Sequence, residues 1–338
     1  MKKFPVLIMF LTSIFASCSP VNYSNTLPGY AIVALKDKAI QITLKHDLTF
    51  NEIKQISKRD FRRISLSTDC KTLIGTISSV TEQNYIVKSE QDSEDVFEVP
   101  IKNLGRAILL KNGAFVFHNF RNTTNDFDYP HVYYYFPKLQ ETSLLKLELP
   151  ALTVADANEN NEILLIEWIP DFYLVKTNPT QLLLFRTDTQ TLETLMDYKG
   201  IGEGESFSDI KLINPKNARW SPDSKHIVVQ GNVSAEHLVE KTKLYLYDRD
   251  SQTWEVVQGK NEDPTLWDSE NENSPAYFWT QDEWPIWIDN STILFQRSFR
   301  YKDDKICTYN INTKEITCNV FPFNSEDFND WDWCSAVP

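Results

Sequence analysis

Leu244 and Leu246 alternate with Tyr245 and Tyr247, the pattern breaks at Asp248-Arg249-Asp250-Ser251, and apolar alternation resumes from Thr253 to Val257. Just upstream, Ala218-Arg219-Trp220 and His226-Ile227-Val228-Val229 flank the polar stretch Ser221-Pro222-Asp223-Ser224-Lys225. A period of two over short runs predicts half-buried strands. Pro222 presets φ for a tight turn, and the Ser221 and Asp223 side chains can bond the turn backbone. The spacing therefore predicts four short antiparallel strands in about forty residues, with hairpin turns between them.

The unit recurs. Leu66-Ser67-Thr68-Asp69-Cys70-Lys71-Thr72-Leu73-Ile74 overlays the stretch from Trp220 to Val228 without a gap. Further copies run from Trp168-Ile169-Pro170-Asp171, from Trp287-Ile288-Asp289-Asn290, and more weakly from Lys111-Asn112-Gly113. The closing hairpins also match, at Asp188-Thr189-Gln190, Asp250-Ser251-Gln252 and Asn312-Thr313-Lys314. A sixth copy over 30–56 keeps the alternation of Ile40, Ile42 and Leu44 but has a degraded turn. These residues resemble the TolB-like and WD-type repeats, whose core often reads W-S-P-D-G-K before an apolar strand. The resemblance covers roughly residues 30–322, with Ser224 and Cys70 standing where such repeats usually have Gly. It implies an all-β fold, a β-propeller of six four-stranded antiparallel blades, with seven as the alternative. Each sheet has two apolar faces and buries them only against neighbours, so Trp168, Trp220 and Trp287 are expected between blades.

The termini carry a different pattern. Lys2 and Lys3 precede an apolar run from Phe4 to Phe15, followed by Ala16-Ser17-Cys18. A basic start, an apolar run too short to span and small residues before a cut predict a secretory signal over 1–17. Cys18 after Ala-Ser resembles a bacterial lipobox, which implies that Cys18 is lipidated. Ser19 at the next position implies the outer rather than the inner membrane in a Gram-negative host. The domain reading is then a signal peptide at 1–17, a tether at 18–29, the propeller at 30–322 and an aromatic tail at 323–338 able to supply a closing strand.

The net charge is −13, and about −15 once Lys2 and Lys3 are removed. Such a balance disfavours sequence-independent nucleic-acid binding and attachment to anionic lipid. Membrane contact is expected only through the lipid anchor. The cysteines beyond Cys18 are Cys70, Cys307, Cys318 and Cys334, which permit three disulfide connectivities in an oxidising compartment. Cys307 and Cys318 sit symmetrically about the Asn312-Thr313 turn, so a tight hairpin would set them opposite one another and allow a bridge. No Cys-x-x-Cys pair and no H-x-x-x-H or H-E-x-x-H pair is present, so neither a metal nor a cofactor site is expected.

In a propeller, connections alternate between the two faces of the disc. Here the long segments 119–130, 231–242, 151–161, 198–217 and 260–284 all fall on one face, where binding is expected. That face is acidic and aromatic: 261–284 carries seven carboxylates and no Lys or Arg. The candidate ligand or partner residues are Asp126, Asp128, Tyr129, His131, Trp267, Trp279, Asp282 and Trp284. Trp and Tyr beside carboxylates stack on sugars, hold cations or anchor a protein interface. The expected role is a non-catalytic binding or scaffolding module of the cell envelope, its partner an envelope protein or a glycan. The alternative is an envelope carbohydrate-active hydrolase or lyase, with two carboxylates such as Asp128 and Asp282 meeting across the face. No nucleophile motif accompanies either reading, since Gly202-Glu203-Gly204-Glu205-Ser206 lacks the central Ser.

Overall fold

The computed structural model describes residues 26–67, 69–77, 84–90, 93–101, 103–119, 130–145, 152–171, 176–197, 214–233, 241–262, 279–299, 302–324 and 327–335. All the regular structure among them is β. The first sheet holds β1 (Tyr30–Leu35), β2 (Lys38–Leu44) and β3 (Phe50–Ser57). The second holds β4 (Arg63–Leu66), β5 (Thr72–Ile77), β6 (Asn84–Glu90) and β7 (Ser93–Val99). The third is β8 (Leu104–Leu109), β9 (Phe115–Asn119), β10 (Val132–Phe136) and β11 (Glu141–Leu144). The fourth is β12 (Leu152–Ala157), β13 (Glu162–Asp171), β14 (Lys176–Arg186) and β15 (Thr191–Asp197). Then come β16 (Asn214–Trp220), β17 (His226–Val233), β18 (Lys241–Asp248) and β19 (Thr253–Val256), followed by β20 (Trp279–Trp287), β21 (Thr292–Phe299), β22 (Lys302–Asn310) and β23 (Glu315–Val320). These last two groups join through one parallel pair, Thr242 with Gln281. The last strand, β24 (Phe328–Cys334), returns to the first sheet and pairs antiparallel with β1, Tyr30 opposite Cys334 and Val33 opposite Trp331.

Sequence repetition becomes structural repetition at the turns. Ser221 Oγ donates to Asp223 Oδ1 (2.7 Å), and the backbone N–H groups of Lys225 and His226 donate to Asp223 and Ser221 side chains (3.2 and 2.9 Å). Ser67, Asp69, Lys71 and Thr72 repeat the same set at 2.6, 3.1 and 3.0 Å. Both turns need a left-handed residue, and Ser224 (φ 59°) and Cys70 (φ 60°) take that conformation where a glycine would take it freely. Gln190, Gln252 and Lys314 do likewise (φ 55–57°) in the hairpins before the outermost strands, the usual end of a three-residue hairpin loop.

The core lies between sheets. Ile32 and Ala34 pack with Phe61, Ile64 and Val87 between the first and second, and Ile74 and Ile86 with Phe115 and Phe117 between the second and third. Trp220 sits among Leu164, Leu182, Ile227 and Tyr247 between the fourth sheet and β16–β18, and Trp287 among Val228, Leu246 and Phe295 between β17–β18 and β20–β22. Ile42, Ile288 and Trp331 share a further cluster between β20–β22 and the first sheet. Trp220 and Trp287 are thus buried between sheets as expected; the Trp168 side chain lies outside the described residues.

Each innermost strand packs on the next, from β4 through β8, β12, β16 and β20 to β24, which packs on β4. Innermost edges leave ladder groups unpaired, and buried ones need partners. Side chains supply them: Asp330 and Asp332 on β24 accept from the N–H groups of Ile64 (3.0 Å) and Leu66 (2.7 Å) on β4. Asp156 on β12 accepts from Trp220 N–H (2.8 Å), and the indole N–H of Trp287 donates to Arg219 carbonyl oxygen (3.1 Å).

Candidate functional site

The innermost strands are not regular. β8 carries a bulge between Leu104 and Ala107, β12 between Val154 and Asp156, β16 between Pro215 and Asn217, and β20 between Glu283 and Ile286. A bulge bends the strand and re-aims a side chain. Here the bulged residues Arg106, Ala155, Lys216 and Trp284 all line one cavity of about 270 Å³, together with Arg63, His118, Asn217 and Gln230. A second cavity of about 260 Å³ lies at the other end of the same strands, lined by Asp156, Glu159, Arg219, Trp220 and Asp332.

Arg106 is 5 % exposed, and its Nη2 donates to both Asp330 oxygens at 2.9 and 2.7 Å. Burial, with Arg219 nearby, pulls the guanidinium pKa down to about 10, which still leaves it protonated at neutral pH. His118, on β9, accepts the N–H of Val154 at Nδ1 (3.1 Å). Burial, reinforced by the charges of Arg63, Arg106 and Arg62, holds its pKa down at about 3, so the ring is neutral. Gly105 makes room for it, since a Cβ there would come within 2.0 Å of His118 Nε2. Trp284 stands in the left-handed region (φ 55°), a strained conformation for so large a residue. Its N–H donates to Gln230 Oε1 (3.2 Å), its carbonyl accepts from Trp331 Nε1 (2.7 Å), and the Arg63 guanidinium lies 5.0 Å over its ring.

The sequence-based candidates separate on this frame. Trp284 lines the cavity. Asp282 does not offer a carboxylate to a ligand: it is 1 % exposed and clasped by Arg297, whose Nε and Nη2 donate to it at 2.7 and 3.0 Å. Burial alone would lower the Arg297 pKa, but Asp282 and Glu262 raise it, so the guanidinium stays charged. Residues 279–284, expected within a connecting loop, belong to β20, and Trp279 pairs there with Phe299. His131 is partly buried, its ring edge-on to Tyr133, and its backbone N–H donates to Asn119 Oδ1 (2.7 Å). Cys18, Asp126, Asp128, Tyr129 and Trp267 lie outside the described residues. Cys307 and Cys318 face each other across β22 and β23 (Cα–Cα 4.1 Å) and form a disulfide. Cys70 and Cys334 form a second, joining a turn of the second sheet to the end of β24.

The cationic residues of the mouth were missed because single charges in apolar strands look like solvent-facing positions. Two signals were present nonetheless: Arg106 inside Leu104-Gly105-Arg106-Ala107-Ile108-Leu109, and the Asp330-Trp331-Asp332-Trp333 alternation near the C-terminus. Among the described residues no group of His, Cys, Asp and Glu is arranged to hold a metal.

No protein-family model matches the sequence, and no curated protein matches it. Solved structures do. TolB from Acinetobacter baumannii superposes with a TM-score of 0.59 at 11 % identity, over 90 % of this chain and 66 % of that one. A protein assigned as TolB in Agrobacterium tumefaciens gives 0.50 at 10 % identity, over 86 % and 88 %. One assigned as a 6-phosphogluconolactonase in Bacteroides fragilis gives 0.51 at 10 %, over 93 % and 99 %. The fold is therefore a TolB-like β-propeller. At such identities the likeness is one of architecture, which hosts many functions, and this chain spans just under two thirds of the Acinetobacter protein.

Proposed function

We propose that the chain is a six-bladed propeller closed by β24 on β1, and that it acts as a non-catalytic binding or scaffolding module of a bacterial envelope. In this reading it is tethered by a lipid on Cys18, and an envelope protein or glycan docks on the face that carries the long connections. The TolB names of two architectural neighbours agree with an envelope role, and the signal-like start agrees with export. One observation carries the choice of binding over catalysis. The Asp282 carboxylate, one of the pair given as an example for the hydrolase reading, is buried in a two-pronged ion pair with Arg297, so it is spent on structure. Breaking such a pair by removing one partner costs about 3–5 kcal/mol.

The Bacteroides neighbour carries a lactonase name, so the experiment must separate the two classes. Wild type, Cys18→Ser and Asp282→Asn are expressed, fractionated and incubated with envelope polysaccharide. Wild type is expected in the membrane fraction, Cys18→Ser in the soluble one, and no reducing ends appear with either. Asp282→Asn should lower stability and nothing else. A Cys18→Ser protein that stays membrane-bound would refute the lipid tether. Sugar ends released by wild type and lost in folded Asp282→Asn would establish the hydrolase instead.

A further inference from the structure

We propose that the cavity among Arg63, Arg106, Lys216, Gln230 and Trp284 binds a small carboxylate of sugar-acid size, its carboxylate held by Arg106 and Lys216. The inference deepens the binding reading above and rests on it. Its first support is charge. In a chain of net charge −13, Arg63, Arg106 and Lys216 line one cavity of about 270 Å³. The carboxylates acting on them are Asp330, already held by Arg106 Nη2, Asp332 and Asp156, whose charges also reach Arg106, and Glu283, which interacts with Lys216. Asp282 is committed to Arg297.

The second support is an unmet donor. Nη1 of the buried Arg106 has no hydrogen-bond partner among the described residues, although buried polar groups are nearly always paired and costly when they are not. Arg63 is engaged differently, its Nη1 donating to the carbonyls of Arg62 and Asn329 (both 3.0 Å). It serves as a wall carrying charge rather than as a fork. The spare NH2 group of the Arg106 guanidinium, with the Lys216 ammonium shared with Glu283, suits a single negative charge through charge-assisted hydrogen bonds. A dianion would meet Asp330 and Glu283 as well. The third support is construction. Arg106, Lys216 and Trp284 each sit at a bulge, and Trp284 is held in a strained backbone conformation; such features concentrate at ligand sites. The volume lies just below the range for drug-sized ligands, and the amides of Asn217 and Gln230 on the wall match hydroxyl groups on the ligand.

The test is titration calorimetry on the folded chain with D-glucuronate, acetate, D-glucose and inorganic phosphate, repeated on two variants. One is Lys216→Gln. The other is Arg106→Gln with Asp330→Asn, which removes the guanidinium without stranding its carboxylate partner. Glucuronate should bind at least about tenfold more tightly than glucose, the step that one charge-assisted bond of about 1.4 kcal/mol supplies, and more tightly than acetate. Lys216→Gln should weaken it about fivefold and the double variant more. If the double variant fails to fold, Lys216→Gln decides alone. Glucuronate no tighter than glucose, phosphate tighter than glucuronate, or unchanged affinity in Lys216→Gln would overturn the proposal. Release of sugar ends in the preceding experiment would overturn the non-catalytic reading while leaving this affinity result standing.

Discussion

His118 shows how much a single side chain is constrained by its neighbours here. Its Nδ1 caps the Val154 N–H, its Nε2 faces Gly105, and the cations of the mouth oppose a further charge. With a folded pKa of about 3 against about 6.5 in the unfolded chain, the unfolded state binds the extra proton between those values. Stability is therefore full above about pH 6.5 and falls as pH drops toward 3, by about 1.4 kcal/mol per unit. His118→Asn keeps an acceptor for Val154 and removes the titration. Denaturant unfolding at pH 6.5 and 4.5 should show the wild type losing about 2–3 kcal/mol more than the variant. Parallel losses would mean that the imidazole is not held neutral. Turn residues were more legible than this histidine. Ser224 and Cys70 occupy a left-handed position that the repeat itself marks, because turn geometry depends on a few adjacent residues. The neutrality of His118 depends first on its burial and then on neighbouring charges, among them Arg62 and Arg63 more than fifty residues away in sequence.

At the level of elements, β24 carries more than its sequence marked. The tail at 323–338 was expected as a strand or a plug at the seam, and 328–334 is a strand paired with β1, with Trp331 1 % exposed. Its alternation divides the work. Trp331 and Trp333 enter the cluster shared with β20–β22, while Asp330 and Asp332 cap β4 and Asp330 neutralises Arg106. Removing residues 328–338 therefore strips β1 of one of its two partners, exposes an apolar cluster and strands a buried guanidinium. Each of the last two costs several kcal/mol, against a total stability of about 5–15 kcal/mol. Thermal unfolding followed by circular dichroism should show no cooperative transition in the truncated chain. A transition within a few degrees of wild type would make β24 peripheral. The same scale explains the bulges, which no periodicity marked: a one-residue insertion in an inner strand leaves the apolar count of the run unchanged.

For the whole molecule, the two disulfides differ in what they constrain. Cys70–Cys334 spans 264 residues and ties the C-terminal strand to the second sheet, whereas Cys307–Cys318 spans 11 within one hairpin. Loop-closure entropy in the unfolded chain makes the long loop worth about 5 kcal/mol and the short one about 3. Replacing Cys70 and Cys334 by Ser should lower the melting temperature more than replacing Cys307 and Cys318 by Ser, both measured without reductant. The reverse order would show that the seam between β24 and β4 is held by packing and the Asp330–Arg106 pair alone. The 307–318 pairing was readable because a hairpin fixes its own register. The 70–334 pairing was one of several possibilities, since nothing local brings residues 264 apart together.

What the sequence determined by itself is what short-range physics encodes: alternation that makes strands, Asp, Ser and Thr turns that make hairpins, and a repeat that makes one sheet follow another. Burial of Trp220 and Trp287 followed from the same logic, because a two-faced apolar sheet has nowhere else to put them. Tertiary structure alone decided the chemistry of the centre. Arg63, Arg106, Lys216 and Trp284 come from four strands distant in sequence, β4, β8, β16 and β20, and the strand spacing of each is ordinary. Asp282 looked like a ligand in the chain and became half of an ion pair once β21 brought Arg297 beside it. Charge, pKa and access at such positions are sums over neighbours distant in sequence, and those sums exist only when the sheets have packed.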